Sequence, residues 1–282
     1  MDTLVLLIQC PDHRGIVARV TRFVHGWGGN ITDVNQHSTD PVNARFFMRL
    51  EFVIEEPLDH DRFESEFSVL AEELNAEWHL HYGSVVPRMA VAVSKFDHCL
   101  VDILYRVRSG ELNVTIPMVI SNHETTRKLV EAEGVPFHHL PVTKDTKADQ
   151  EAQFLDLVRE SSDFLVLARY MQILSGDFLE KYGKPVINIH HSFLPSFMGA
   201  NPYRQAFERG VKLIGATAHY ATTDLDEGPI IEQIVGRVSI KDDAASLQQK
   251  GKTIEQQALA LAIAAHVEHR VLRWKNRTIV FE

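Results

Sequence analysis

The chain has 282 residues, 45 % hydrophobic and 24 % charged. That is the composition of one or two globular domains with ample core, and it excludes disorder and collagen-like repeats. It carries 29 basic and 38 acidic side chains, net −9 with neutral histidine, and residues 1–87 hold only 6 of the basic but 14 of the acidic ones. No basic stripe is left for nucleic acid or an anionic membrane surface, so both partners are excluded.

Apolar runs such as Leu4 to Ile8 are far shorter than the roughly 20 residues of a bilayer span, and no positive region of a secretory signal precedes them. Cys10 and Cys99 have neither metal nor redox spacing, which reads as two free thiols and a cytoplasmic location. In chain order, Leu4 to Gln9 predicts a strand, Pro11-Asp12-His13-Arg14-Gly15 a turn, and Ile16, Val17, Val20, Phe23 and Val24 a helix stopped by Gly26, Gly28 and Gly29. Asn30 to Ser38 and Ala44 to Ile54 predict strands around an Asp40-Pro41 turn. A helix with Phe63, Phe67, Leu70 and Leu74 on one face follows, and Glu77 to Tyr82 closes as a strand. The order βαββαβ is a ferredoxin-like split unit.

After a short connector, residues 85–88, strands alternate with helices. Strands are expected at Met89 to Val93, Ile116 to Ser121, Pro136 to His139, Phe164 to Ala168, Val186 to His190 and Gly215 to Tyr220. Helices are expected at Val101 to Ser109, Thr125 to Glu133, Lys147 to Glu160 and Tyr203 to Arg209, with a final amphipathic helix over Ser246 to Val271. The fold class is therefore α/β: a ferredoxin-like domain over 1–84, then a doubly wound, mostly parallel sheet over 89–282.

Ligands collect at the carboxyl ends of strands in such sheets. The most unusual end is Asn188-Ile189-His190-His191-Ser192-Phe193-Leu194-Pro195. Strand alternation sets Asn188 and His190 on one face, about 6–7 Å apart. A lone buried histidine is most often satisfied core; its pairing with an asparagine at a strand end points to function. The second constellation is His219 on a strand, followed by Asp224-Leu225-Asp226-Glu227-Gly228-Pro229. On spacing alone that loop reads as a solvated turn.

Two resemblances sharpen this. The first domain, through Pro11 to Gly15 and Gly28-Gly29-Asn30-Ile31, resembles an ACT domain. That implies sheet pairing into a homo-oligomer and a small effector, glycine or methionine, at Asp12, Gly15, Asn30 and Ile31. A purely dimerising module is the plain alternative. From Met89 onward the chain resembles the folate-dependent formyltransferase family, through Asn188, His190, Ser192, Leu194, Pro195, His219 and Asp226. The resemblance implies Asn188, His190 and Asp226 as the catalytic set. It also implies a folate-binding segment at Arg169, Tyr170, Met171, Ile173 and Leu174, with His219 beside the substrate.

Attack on a formyl carbonyl builds an oxyanion that Asn188 and a protonated His190 can stabilise, while Asp226 can take a proton through water. The loop Ser94-Lys95-Phe96-Asp97-His98-Cys99-Leu100 has no glycine, so a phosphate cradle for a nucleotide acceptor is not expected, nor is a tRNA-binding surface. With no amine acceptor, water remains. An ACT domain fused to this core resembles the deformylase branch of the family, which implies hydrolysis of 10-formyltetrahydrofolate to formate and tetrahydrofolate, supplying purine synthesis and balancing folate pools. Formyl transfer to a small amine and an inactive folate or amino-acid sensor are the alternatives. No metal or cofactor is expected, because adjacent strand residues His190 and His191 point to opposite faces. Lys144 and Lys147 could meet a glutamate tail but read as exposed loop lysines.

Overall fold

The computed structural model describes residues 2–39, 44–195 and 202–282; the expected Asp40-Pro41 turn lies outside them. The chain forms two compact units. One runs to Val86 and includes Glu268–Trp274 and Ile279–Glu282; the other is Pro87–Val267 with Lys275–Thr278.

The first unit contains β1 (Asp2–Pro11), α1 (Ile16–Gly26), β2 (Asn30–Ser38), β3 (Arg45–Ile54), α2 (His60–Leu74) and β4 (Glu77–Tyr82). Its sheet has the order β2-β3-β1-β4 and is antiparallel throughout. Leu4, Leu6 and Ile8 alternate onto the face covered by Val20 and Val24 of α1 and Phe63 and Phe67 of α2. Just past α1 the chain folds back on the helix at Gly29, whose N donates to the Val24 carbonyl oxygen at 3.0 Å and where a Cβ would lie 2.9 Å from that oxygen. Helix α2 starts on Asp59, whose carboxylate accepts from Arg62 N, and ends on Asn75 in the left-handed region.

The other face of β1 departs from the sequence expectation. Leu7 and Phe47 pack with Leu272 and Phe281, and Trp274 meets Phe47 edge-on at 5.8 Å. This apolar cluster draws most of the C-terminal residues into the first unit, whereas the sequence reading carried the second domain through residue 282.

In the second unit the order is β5 (Met89–Val93), α3 (His98–Ser109), β6 (Val119–Ser121), α4 (Arg127–Ala132), β7 (Phe137–His139), α5 (Lys147–Val158), β8 (Phe164–Leu167), α6 (Gly176–Tyr182), β9 (Val186–His190), α7 (Pro202–Glu208), β10 (Leu213–Tyr220), β11 (Ile230–Arg237) and α8 (Ala244–Val267). The chain ends with the two-stranded pair β12 (Val271–Trp274) and β13 (Arg277–Val280). The seven-stranded sheet runs β11-β10-β9-β8-β5-β6-β7. From β9 to β7 all pairs are parallel, and β10 and β11 are antiparallel additions.

Helix α6, strand β11 and the final strand pair are absent from the sequence reading, and the last helix ends at Val267 rather than Val271. Chain order reverses beside β5: β6 and β7 extend to one side, β8 and β9 to the other. The carboxyl ends of β5 and β8 therefore flank the crevice where such sheets hold ligands. Among the described residues no helix is long and apolar enough to cross a membrane.

Phe63 is fully buried, edge-on to Phe23 and Trp27 and stacked on Phe52. Phe63→Ala should lower stability by about 3–5 kcal/mol, read as a fall in the urea midpoint of the transition that reports the first unit.

Candidate active site

The antiparallel pairing of β9 with β10 sets His219 opposite Asn188 and Thr217 opposite His190. Cross-strand neighbours on one face touch, and Asn188 Nδ2 donates to His219 Nε2 at 3.1 Å. His219 Nδ1 lies 3.1 Å from the Tyr220 carbonyl. A carbonyl can only accept, so Nδ1 carries the proton and Nε2 is left to accept from Asn188. Both ring nitrogens are spent on the protein. His219 thus positions Asn188, whereas the sequence reading set it against substrate. Burial lowers the His219 pKa, which keeps this neutral tautomer.

Asp226 reaches both histidines from the loop after β10: its Oδ1 lies 3.2 Å from His190 Nδ1 and 3.8 Å from His219 Nε2. The hydrogen bond from His190 is the main cause that holds its carboxyl below the ordinary aspartate range. Asp226 sits at φ 58°, a left-handed conformation that aspartate tolerates better than most residues. The loop is forced back on the strand at Gly228, where a Cβ would lie 1.8 Å from the Tyr220 carbonyl oxygen. Tyr220 N donates to the Pro229 carbonyl at 2.9 Å. With Nδ1 of His190 committed to Asp226, Nε2 is buried without a partner among the described residues. A buried polar atom in that state calls for a ligand.

The chain after β9 is tied down by Thr217. Its hydroxyl donates to the Ser192 carbonyl and accepts from Leu194 N and Gln233 Nε2, each at 3.0 Å. Neither Thr217 nor Gln233 stood out in the sequence, because a hydroxyl inside a strand has no spacing signature.

The segment after β8 meets the same end of the sheet, since Leu167 pairs with Asn188. Ser94 anchors it: Ser94 N donates to the Arg169 carbonyl at 3.2 Å, and Met171 N donates to Ser94 Oγ at 2.9 Å. Met171 and Ile173 are exposed, and Leu174 packs on the core beneath. Tyr170 is buried edge-on against Phe154 and accepts from Gln150 Nε2 at 3.0 Å. Its side chain belongs to the core, and burial raises its pKa to about 12.

A formyl transferase family model matches residues 87–263. A formyltetrahydrofolate deformylase of Synechocystis sp. is 49 % identical over 281 residues, 99 % of this chain and 98 % of the relative. That of Bacillus subtilis is 48 % identical, over 98 % and 93 %. The crystal structure of a formyltetrahydrofolate deformylase from Pseudomonas syringae pv. tomato superposes with a TM-score of 0.96 at 45 % identity, over all of this chain and 95 % of that one. The chain belongs to the formyltetrahydrofolate deformylases. A glycinamide ribonucleotide transformylase from Symbiobacterium toebii shares the fold over 72 % of this chain and 98 % of its own, with a TM-score of 0.66 at 28 % identity.

Beside Asn188, His190 and Asp226 of this deformylase lies a second buried group. Glu255 of α8 bonds His98 Nε2 at 2.7 Å, lies 3.3 Å from Arg169 Nε and accepts from Tyr203 Oη at 2.5 Å. Burial pushes its carboxyl up, but His98, Arg169 and Tyr203 together outweigh that and leave it below the ordinary range. Tyr203 gets close because Gly251 has no Cβ, which would lie 2.1 Å from the phenol ring. Ligand atoms of His98, Cys99 and Glu255 fall within 4.8 Å of one another. The Arg169 cation and a Cys99 thiol whose pKa burial raises well above normal make this cluster a poor cation site.

In the first unit, the four expected effector residues do not meet within one chain. Asp12 and Gly15 follow β1 where Pro11 pairs with Arg45, while Asn30 and Ile31 pair with Val53 and Phe52 at the far end of β3. Roughly 25 Å of strand separates those ends. Asn30 lines a concavity of about 800 Å³ with Trp27, Thr32, Glu55, Arg62 and Glu66. Lys144 is exposed, and Lys147 lies 3.8 Å from Glu151.

Gly228→Ala should cut kcat by about a hundredfold by displacing Asp226, measured as turnover with the circular-dichroism spectrum unchanged. His191 tests the electrostatics. Burial, then Arg169, lower its pKa from 6.5 to about 4. Between those values the unfolded chain binds the proton and the folded one does not, so stability falls as pH drops from 6.5 towards 4. His191→Asn should remove that part of the loss, seen as a smaller change in urea midpoint between pH 7 and pH 5.

Proposed function

We propose that this centre hydrolyses 10-formyltetrahydrofolate, with Asn188, His190 and Asp226 as catalytic residues. The unpartnered, buried Nε2 of His190 carries the reading. Asn188 has an amide N–H beyond the one given to His219, and together with His190 Nε2–H it faces the oxyanion that forms when water adds to the formyl carbon. Asp226, held ionised, takes a water proton. The carbon–N10 bond then breaks as the proton held by Asp226 passes to N10, and formate and tetrahydrofolate leave. The backbone of the segment from Arg169 to Leu174 holds the pterin, with Met171 and Ile173 against it.

The buried, unpaired Cys10 and Cys99 support a reducing compartment, which we take as the cytoplasm; two relatives from Arabidopsis thaliana are named as mitochondrial. The formate feeds purine synthesis. The ACT-like unit is regulatory and pairs between copies. Such pairing can bring Asp12 and Gly15 of one copy near Asn30 and Ile31 of another, where glycine or methionine binds.

Purified protein given 10-formyltetrahydrofolate and no amine should release formate stoichiometrically with tetrahydrofolate. Formate that appears only after an acceptor is added sinks hydrolysis. Asn188→Ala should lose about a hundredfold or more in kcat, and Asp226→Ala a similar factor, with folate binding retained in both; near wild-type turnover in either variant removes that residue from the set.

A further inference from the structure

We infer that Arg169, backed by Phe96 and Glu255, determines the choice of nucleophile by filling the space an amine acceptor needs, so that water alone reaches the formyl carbon. The inference rests on the deformylase reading. The crevice between the carboxyl ends of β5 and β8 is where this sheet topology places a ligand, and Phe96 and Arg169 follow those two strand ends. Beyond the β5–β8 ladder the two flanking loops are laced together by Ser94 N to the Arg169 carbonyl and Met171 N to Ser94 Oγ. Across them the Arg169 guanidinium lies over the Phe96 ring at 5.5 Å. Its Nε lies 3.3 Å from Glu255 Oε2, a carboxylate that His98 and Tyr203 hold.

Three features mark this group as more than packing. Arg169 adopts φ 63°, a conformation that costs a non-glycine residue strain and persists only where the surroundings impose it. A buried ion pair returns little net stability against an apolar replacement, yet the segment after β8 and helices α3, α7 and α8 all contribute to this one. The group also adjoins the reacting centre: the His191 ring stands 5.1 Å from His190 and 6.5 Å from Tyr203.

With the crevice opened, an amine nitrogen bonds the formyl carbon, the carbon–N10 bond breaks, and the proton shed by the amine ends on N10. The test offers 10-formyltetrahydrofolate labelled in the formyl group, together with glycinamide as a small primary amine, and measures label in formate and in formylglycinamide. Wild type should deliver its label to formate. Arg169→Gly suits the left-handed backbone, and Arg169→Gly/Glu255→Gln avoids stranding a buried carboxylate. In both, the fraction of label on the amine should rise at least tenfold. Phe96→Ala leaves the ion pair intact on a partly exposed side chain and should shift the fraction in the same direction. An unchanged fraction in Phe96→Ala overturns the inference even where the arginine variants do not fold. Formate release by wild type without amine is scored separately, so a failure of hydrolysis itself is told apart from a failure of this assignment.

Discussion

The register of β10 against β9 is the constraint on which the site depends. It sets His219 across from Asn188 and Thr217 across from His190. One pairing thereby orients the amide, fixes a histidine tautomer and pins the chain beyond the strand. A slip of one residue would turn every one of these side chains to the other face. The register is held from outside as well, since β11 pairs along most of β10 and α8 packs on both. Antiparallel strands added to a parallel sheet are thus what lets residues far apart in sequence meet edge to edge.

The electrostatics sort the titrating groups by partner. Asp226 is held below its ordinary range by His190, whereas burial drives His219 and His191 down. The carboxylate stays charged while two neighbouring imidazoles stay neutral. His190 keeps a buried Nε2 without a hydrogen-bond partner among the described residues, as His98 keeps its Nδ1 in the neighbouring cluster. Neighbouring groups pushed apart in this way are how one site separates acid from base at a single pH.

Much of this was legible in the chain. Period-two alternation placed Asn188 and His190 on one face, and the βαββαβ order of the first unit followed from its apolar patterns and glycines. What escaped had weak or non-local signals. Strand β11 is interrupted by Glu232, Gln233 and Gly236 and mostly half-exposed, so no period stands out. Helix α6 spans seven residues, and β12 and β13 four each, too short for periodicity to register. Glu255 lies within a stretch read only as an amphipathic helix, and the pairing of His219 with Asn188 has no local signal. Their partners lie 157 residues away for His98 and 31 for Asn188, distances over which one sequence carries no pairing information. Gly228 read as part of a solvated turn and Gly251 gave no signal, yet each makes room for an approach no Cβ permits.

A charged group filling the crevice has a consequence that an apolar one would not. Leucines or phenylalanines there would pack at least as stably, but they would carry no charge to act on the imidazole beside them. Arg169 does. Its cation, after burial, is the next largest influence holding His191 neutral, which keeps that imidazole from competing with His190 for Asp226. Glu255 balances the cation, so the charge is confined to the crevice. Filling the crevice and holding His191 neutral are separate demands, and the buried pair of Arg169 with Glu255 meets both.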